Sequence, residues 1–226
     1  MRNLPVIFCI STFVFGLSGC VTVEQAMQKR LENVPPDQIG YVLGTYKVEC
    51  WARKDHCQQA FNSISTYYSS TTNPEFQGVL SLQHGGFGGN TVYDFEKVDL
   101  LEKGIYFCQP LPAGEYQITS YSYWNFAGGG SGYRLDKEHW FDIRFHVTAG
   151  ELRHIGSIKA TMESGKNLFG ITIHAPGQLE LSASSEEEQR RAMEKCPEST
   201  RLLPFANEAL RQPAGAHPLV RLILKD

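Results

Sequence analysis

The clearest periodic pattern in the chain is a strict alternation of apolar and polar residues over Phe141–Val147. A period of two over this length predicts a β-strand with one buried face. Ala149-Gly150 is a turn signal, so we expect Leu152–Ile158 to return as the hairpin partner of this strand. Because one face of the pair is apolar, a second sheet must cover it.

A strand, a turn and a strand are also predicted around Pro112, Ala113 and Gly114. Proline fixes its own φ, and glycine tolerates the positive φ that a tight turn needs. The stretch Ile105–Ile158 is therefore predicted to hold two consecutive β-hairpins. Other β-rich runs bounded by turn residues are predicted as strands at Ile39–Glu49, Ser63–Ser70, Gly78–Gln83 and Leu219–Leu224.

One short helix is predicted near residues 185–196. Ser185 and Glu188 match a capping box, and two glutamate–arginine pairs follow at a spacing of four residues. Pro197 prevents the helix from continuing.

Residues 1–19 have the layout of an export signal. Arg2 is the only charge, an apolar run follows, and the run ends in Leu17-Ser18-Gly19 before Cys20. The run is too short to span a bilayer. Leu-Ser-Gly-Cys resembles the bacterial lipobox, in which signal peptidase II cuts before the cysteine, which is then acylated on sulfur and nitrogen. The resemblance implies that Cys20 is lipidated; the alternative is an ordinary signal peptide followed by a coincidental cysteine.

The lipid and the segment after it predict a membrane-anchored domain. Two or more acyl chains give stable anchoring. Residues 20–37 are interpreted as a tether, with a short helix as the alternative. Residues 38–226 then form one β-sandwich domain with the helix near 185–196 and a last strand near 218–225. Since bacterial sorting keeps lipoproteins with Asp after the cysteine on the inner membrane, Val21 implies the outer membrane.

The charge balance excludes one class of partner. Without residues 1–19 the chain carries 20 basic and 24 acidic side chains. Such a balance gives no electrostatic reason to bind nucleic acid. We expect no nucleic-acid partner, no cofactor and no metal ion.

Three segments, Leu111–Tyr116, Phe141–Gly156 and Gly165–Gly170, resemble a family of bacterial envelope lipoproteins with a transthyretin-like or carboxypeptidase-regulatory-like sandwich. The similarity covers roughly residues 40–196. It implies an all-β fold with one short helix, an antiparallel Greek-key β-sandwich of the transthyretin (prealbumin) type. The motifs are turn and core signatures, so they imply a fold and not an activity. Where this family has Lys-Tyr-Pro after the helix, the chain has Lys195-Cys196-Pro197.

Four cysteines remain after export and lipidation: Cys50, Cys57, Cys108 and Cys196. In an oxidising compartment they predict two disulfides, for which three connectivities exist. We favour Cys50 with Cys57, in a turn because a helix would hold them about 10 Å apart. The other bridge would join Cys108 to Cys196, at the departure from the family pattern, and fasten the helix end to the sheet. A zinc site from Cys50, His56 and Cys57 is the alternative, but no second ligand pair appears.

No motif anchors a catalytic prediction. The glycine-rich stretches 85–89 and 128–132 lack the Lys-Ser/Thr and helix of a phosphate loop, so long loops are expected there. Gly-x-Ser-x-Gly and His-Glu-x-x-His are absent, and a hydrolase would need a site assembled from distant segments. In the predicted hairpin, His146 and His154 face opposite sides, which argues against a shared metal.

Aromatic residues give the one candidate binding surface. Alternation places Tyr121 and Tyr123 on the face opposite Tyr116, and more rings follow into the glycine-rich loop. If that face is exposed, the rings suit a protein interface or stacking on sugars. The alternative is a bulge near Ser120 that buries them. The candidate surface consists of Tyr121, Tyr123, Trp124 and Phe126.

These observations lead to a functional expectation. The chain is expected to be a non-catalytic outer-membrane lipoprotein that serves as a binding or scaffolding module, with a protein of the cell envelope as its partner. A glycan- or peptidoglycan-binding lipoprotein is the alternative, and a hydrolase is the third hypothesis.

Overall fold

The structure is a computed structural model, which describes residues 23–83, 93–125, 131–210 and 217–223. These residues form two β-sheets, a small β-ribbon and two α-helices, so the predicted all-β class is correct. The helices are α1 (Val23–Leu31) and α2 (Glu186–Glu194), with short 3-10 turns at Pro36–Gln38, Lys137–His139 and Glu198–Thr200. The strands are β1 (Ile39–Glu49), β2 (Trp51–Arg53), β3 (His56–Gln58), β4 (Ser63–Ser70), β5 (Gln77–Gln83), β6 (Phe95–Lys97), β7 (Glu102–Pro112), β8 (Gly114–Asn125), β9 (Ser131–Arg134), β10 (Ile143–Val147), β11 (Leu152–Lys166), β12 (Thr172–Ser182), β13 (Phe205–Asn207) and β14 (Val220–Ile223).

The first sheet is mixed, which corrects the expectation of a purely antiparallel sandwich. Its strand order is β14-β12-β11-β1-β7-β6, and β13 pairs with β11. β1 runs parallel to β11, β13 also pairs with β11 in parallel, and β14 pairs with β12 in parallel. The second sheet, β10-β8-β4-β5 with β9 on β8, is antiparallel in all its described pairings.

The two predicted hairpins are wrong in their pairing, although their strands and turns exist. The turn before Gly114 carries the chain from β7 in the first sheet to β8 in the second. The turn at Gly150 carries it from β10 in the second sheet to β11 in the first. Both glycines have positive φ, 152° and 66°, as the turn chemistry requires. Alternation identifies the buried face of a strand, but it does not identify the strand beside it.

The core lies between the two sheets. Buried side chains of β1, β11 and β12 meet those of β4, β8 and β10 in one continuous cluster. The hydroxyl groups of Tyr46 and Thr66, one from each sheet, lie 2.8 Å apart in a buried hydrogen bond. A buried hydroxyl needs such a partner, so this pair fixes how the sheets face each other.

Helix α2 covers the outer face of the first sheet and corresponds to the helix predicted near residues 185–196. Ser185 and Glu188 form the expected capping box. Ala192 packs with Leu43 and Leu152 in a second, smaller core. The helix thereby forms a third layer over β1 and β7.

Helix α1 corrects the interpretation of residues 20–37 as a tether in favour of the alternative, a short helix. Its Met27 is buried, and Leu31, one turn later, packs against the same core. The helix lies against the edge strand β5, and the Arg30 side chain donates a hydrogen bond to the backbone carbonyl of Glu75. Because two apolar side chains four residues apart face the domain, this segment docks on the sandwich. Residues 1–22 lie outside the described part of the chain.

Candidate functional site

The two favoured disulfides are both present. Cys50 bonds to Cys57, and Cys108 bonds to Cys196 at a sequence separation of 88 residues. The second bridge fastens the end of α2 to β7, as predicted. Since Cys50 and Cys57 are joined to each other, they have no thiolate to offer a zinc ion. The predicted lipidation site, Cys20, lies outside the described residues.

The prediction of an exposed aromatic surface is wrong for Tyr121 and Tyr123. β8 has a bulge, because Tyr67 of β4 pairs with Ser120 while Tyr68 pairs with Ile118. The extra residue, Thr119, shifts the alternation by one position, so Tyr121 and Tyr123 turn into the core and are buried. Burial raises the pKa of both phenols. The structure thus confirms the alternative prediction, in which a bulge near Ser120 buries these rings.

The remaining members of that surface separate from the tyrosines. Trp124 points to the outer face of the second sheet and is 41% exposed. Phe126 lies outside the described residues. The rings predicted to act together therefore do not share one face.

The three strand histidines lie in three separate environments. His146 is exposed and bonds to Glu115. His154 is buried beside Asn207, and burial lowers its pKa although the Asn207 hydrogen bond opposes the shift. His174 stacks on Trp51 with ring centroids 4.6 Å apart. His146 and His154 belong to different sheets, so the predicted register between them does not exist.

One group of metal-ligand side chains occurs among the described residues. Ligand atoms of Asp136, Glu138 and His139 lie within 4.8 Å of one another on an exposed loop. Exposed acidic groups of this kind are common without an ion, so the cluster alone does not make a site.

A buried ionic network joins α2 to the sheet below it. Lys47 Nζ lies 2.6 Å from a Glu188 carboxylate oxygen and 3.4 Å from Glu102 Oε1. Lys97 approaches Glu102 from the side at 3.7 Å. Lys47, Glu102 and Glu188 are all buried, so each charge depends on the others for compensation.

The carboxyl group of Glu188 has a lowered pKa. Burial alone would raise it, but the Lys47 hydrogen bond, the Ser185 backbone N–H and the charges of Lys47 and Lys97 together outweigh burial. The unfolded chain then binds more protons than the folded chain below about pH 4.5. Stability from this network is present above that pH and is lost as the pH falls through the folded pKa.

We expect Glu188→Gln to lower stability at pH 7 by about 2 kcal/mol, because the amide keeps the cap but loses the charge opposite Lys47. The variant should also lose less stability than the wild type as the pH falls below about 4.5. Urea unfolding over a pH series measures both effects. Glu186→Gln, at an exposed position of the same helix turn, is the control, and equal acid sensitivity of wild type and Glu188→Gln would contradict the assignment.

A groove of about 540 Å³ lies beside the network, between α2, β6 and β7. Its charges are paired: Asp94 with Lys195 at 2.6 Å, and Arg191 with Glu187. Within the described residues, the groove offers no uncompensated acid or base for catalysis. The Asp94–Lys195 pair joins the end of α2 to the segment before β6.

The hairpin formed by β11 and β12 extends beyond the sandwich. β1 pairs with β11 only as far as Ala160, and β14 pairs with β12 only from Leu179. Between these limits Met162–Lys166 and Thr172–Pro176 pair with each other and with no third described strand. We name the segment Met162–Pro176 the arm.

The base of the arm is held firmly. The Tyr121 hydroxyl donates to the carbonyl of Gly177, and the Tyr123 hydroxyl donates to the carbonyl of Thr161, each at 3.1 Å. The Met162 N–H donates to a Glu49 carboxylate oxygen at 2.9 Å. The buried tyrosines therefore position the arm instead of forming a binding surface.

The apex of the arm presents apolar side chains on a closed turn. Asn167 Oδ1 accepts hydrogen bonds from the N–H groups of Phe169 and Ile171, and Gly170 has φ of 74°. Leu168 is 101% exposed and Phe169 is 86% exposed. Ile171 and Ile173 are exposed on the return strand, and Lys166 is the only charged residue between 164 and 173. This contiguous exposed apolar surface makes the apex a candidate interaction site.

Sequence reasoning missed this site although a signal was present. In the sequence, Gly165–Gly170 carries part of a family resemblance and is not predicted as a binding site. A turn between two strands is normally polar, so Leu168-Phe169 at its centre is the unusual feature.

Comparisons with known proteins leave the chain without an assigned family. No family model matches it, and no curated protein matches it significantly. A leucine-rich repeat protein from Bacteroides thetaiotaomicron is 15% identical, with 56% of this chain and 14% of that chain covered and a TM-score of 0.30. A protein described as a cell adhesion protein from Parabacteroides distasonis is 8% identical, with 66% and 45% covered and a TM-score of 0.28. This chain thus spans less than half the length of either protein, and likenesses this weak support no argument.

None of the helices in the described part of the chain is both long enough and apolar enough to cross a bilayer.

Proposed function

We propose that this chain is a lipid-anchored, non-catalytic binding module of the bacterial cell envelope that docks on a partner protein through the apex of its arm. The exposed Leu168-Phe169 pair is the observation that carries the proposal. The partner would be an envelope protein with an apolar groove that accepts both side chains.

The shape of the arm favours a protein partner. A two-stranded ribbon that projects from a sheet has no further layer of its own to cover its apolar side chains. Both outer edges of the arm present backbone groups that a third strand can pair with. A partner that receives the apex and adds a strand would satisfy both features, by the mode known as β-augmentation.

The rigidity of the arm also suits binding. The Asn167 hydrogen bonds close the turn, and the Trp51 ring braces the return strand through its stack on His174. A preformed apex loses little conformational entropy when it docks, so more of the burial energy appears as affinity. Adhesion by a loop end of the sandwich is the mechanism we propose.

Export and anchoring belong to the same proposal. The signal-like residues 1–19 and the lipobox-like sequence before Cys20 support an acylated N-terminus on the outer membrane. Two disulfides support an oxidising compartment outside the cytoplasm.

The proposed fold is a transthyretin-like Greek-key sandwich. The two turns that cross between sheets, and the facing sheets β7-β1-β11-β12 and β10-β8-β4-β5, support this assignment.

The test is photocrosslinking in the living cell. A photoreactive phenylalanine analogue replaces Phe169, and the same analogue replaces Leu202 as a control. Leu202 is 96% exposed and precedes β13, which pairs with β11 at Leu152–His154 and not in the arm. Each version is made with its own signal and as a Cys20→Ala form exported by an ordinary signal peptide. We expect position 169 to capture one reproducible protein that position 202 does not.

The outcomes separate the parts of the proposal. Loss of the captured protein in the Cys20→Ala form would show that anchoring places the module beside its partner. Capture of lipid alone at position 169 would overturn the protein partner in favour of membrane insertion. Identical products at positions 169 and 202 would overturn the apex as the docking site.

A further inference from the structure

The outer face of the second sheet carries a regular array of hydroxyl groups, separate from the arm. One row crosses four strands in register, from Ser81 of β5 through Ser65 and Ser122 to Arg134 of β9. The next row pairs Ser63 with Trp124. We name this surface the serine face, and it consists of Ser63, Ser65, Tyr67, Ser81, Ser122, Trp124 and Arg134.

Trp124 lies flat on this face. A Cβ atom added to Gly132, its cross-strand partner, would fall 2.0 Å from Cε3 and 2.2 Å from Cζ3 of the indole ring. One side of the ring therefore rests on the backbone of β9, which only glycine permits at that position. The side chain is still 41% exposed, so it forms a flat aromatic platform level with the hydroxyl groups.

The hydroxyl groups beside the platform are paired in a way that leaves capacity for a ligand. Ser65 and Ser81 bond to each other at 2.9 Å, and so do Tyr67 and Ser122. A pair of hydroxyls uses one of its two hydrogens internally, so each pair retains one donor and several acceptor lone pairs. Alternating donors and acceptors around an aromatic plane match a pyranose ring, which has an apolar C–H face and a rim of hydroxyls.

Arg134 gives the face its charge. It is exposed, and its guanidinium lies 5.7 Å from the centre of the Tyr67 ring. In the described part of the chain no carboxylate pairs with it, and β4, β5 and β9 contain no acidic residue. An uncompensated guanidinium fits a planar carboxylate in a bidentate manner. Nucleic acid fits less well, because its binding requires several cations along the backbone and this face has one.

We propose that the serine face binds a glycan chain whose sugars carry carboxylate groups. A sugar ring stacks on Trp124, its hydroxyls exchange hydrogen bonds with the serine rows, and a carboxylate on the same or the next sugar pairs with Arg134. Trp124 and Arg134 occupy diagonal positions on β8 and β9, roughly 7–8 Å apart between Cα atoms, so one short oligosaccharide reaches both. This site is independent of the proposed docking of the arm.

The experiment uses the full-length chain purified in detergent and a panel of oligosaccharides built from uronic, sialic and muramic acids. The same sugars with methyl-esterified carboxylates form the matched neutral panel. Binding is measured on an array and by tryptophan fluorescence. We expect at least one acidic class of sugar to bind. Its methyl ester should bind with an affinity lower by about tenfold or more, because the ester loses a charge-assisted hydrogen bond.

Two variants and a control identify the residues. Trp124→Ala should abolish binding of acid and ester alike, whereas Arg134→Gln should bind the acid no better than the ester. Trp140→Ala is the control, because Trp140 is 38% exposed on a different loop. If Trp124→Ala lowers the melting temperature, the test depends on Arg134→Gln alone, because this substitution alters only an exposed side chain.

Three results would overturn the proposal: no acidic glycan of the panel binds, acid and ester bind equally well, or Arg134→Gln leaves the preference for the acid unchanged. Equal losses of glycan binding in Trp124→Ala and Trp140→Ala would show that stacking on Trp124 is not part of the site. None of these results bears on photocrosslinking at the apex, so the two proposals fail independently.

Discussion

Removing the Cys108–Cys196 disulfide is expected to lower the free energy of unfolding by about 4–5 kcal/mol, from the chain entropy of closing a loop with a sequence separation of 88 residues. This is a large part of the 5–15 kcal/mol or so that stabilises a typical domain. The bridge also holds α2 over β1 and β7, so its loss weakens the packing of Ala192 against Leu43 and Leu152. The buried charge of Lys47 would then lose its ion pair with Glu188.

The measurement is urea unfolding of Cys108→Ser/Cys196→Ser, a double variant that leaves no free thiol from this bridge. Cys50→Ser/Cys57→Ser is the matched control, because its sequence separation is 7 residues and the same relation predicts a loss of about 2 kcal/mol. Equal losses for the two double variants would contradict the dependence on loop length. A smaller loss for the long loop than for the short loop would contradict it as well.

The sequence is sufficient to predict most of the strands and one helix, because these depend on local signals. The alternation in Phe141–Val147 identifies the buried side of β10, whose Ile143, Phe145 and Val147 are buried. The capping box of Ser185 and Glu188 marks the start of α2 in sequence and in structure. The Glu188 carboxylate also binds Lys47, a contact that the spacing of the capping box in the sequence does not reveal.

Strand pairing could not be predicted in the same way, because it depends on contacts distant in sequence. The turns at Gly114 and Gly150 have ordinary turn chemistry, which is equally compatible with a hairpin and with a crossing between sheets. The parallel pairing of β1 with β11 joins segments more than a hundred residues apart. A helix of nine residues such as α1 is marginal by itself and forms here against β5, so its own sequence indicates it only weakly.

The candidate sites show the same division between local and distant causes. One extra residue, Thr119, reverses the faces of Tyr121 and Tyr123. The sequence predicts such a bulge only as one of two alternatives, because the pattern of polar and apolar residues is compatible with both. Trp124 remains outside, but its partners Tyr67 and Arg134 come from β4 and β9. The apex of the arm differs because all its parts are contiguous, so the Leu168-Phe169 pair could have been found from sequence.

The second large effect is expected at the apex. Leu168→Asp combined with Phe169→Asp should weaken the complex with the captured protein by about 3–6 kcal/mol, the burial energy of two large apolar side chains, or roughly two to four orders of magnitude in Kd. Folding should be unaffected, because both side chains are almost fully exposed in the free chain. Replacing exposed apolar groups by charges removes no packing and no hydrogen bond of the arm.

Affinity is measured with the purified partner, and the melting temperature is measured on the same samples. Leu202→Asp is the matched control, since it makes the same change at an equally exposed leucine. Asn167→Ala should weaken binding by a smaller factor, because it keeps both apolar side chains but removes the two hydrogen bonds that fix the turn. Unchanged affinity of the double variant, or an equal loss in Leu202→Asp, would refute the apex as the docking site; a lowered melting temperature would show instead that the pair packs within the chain.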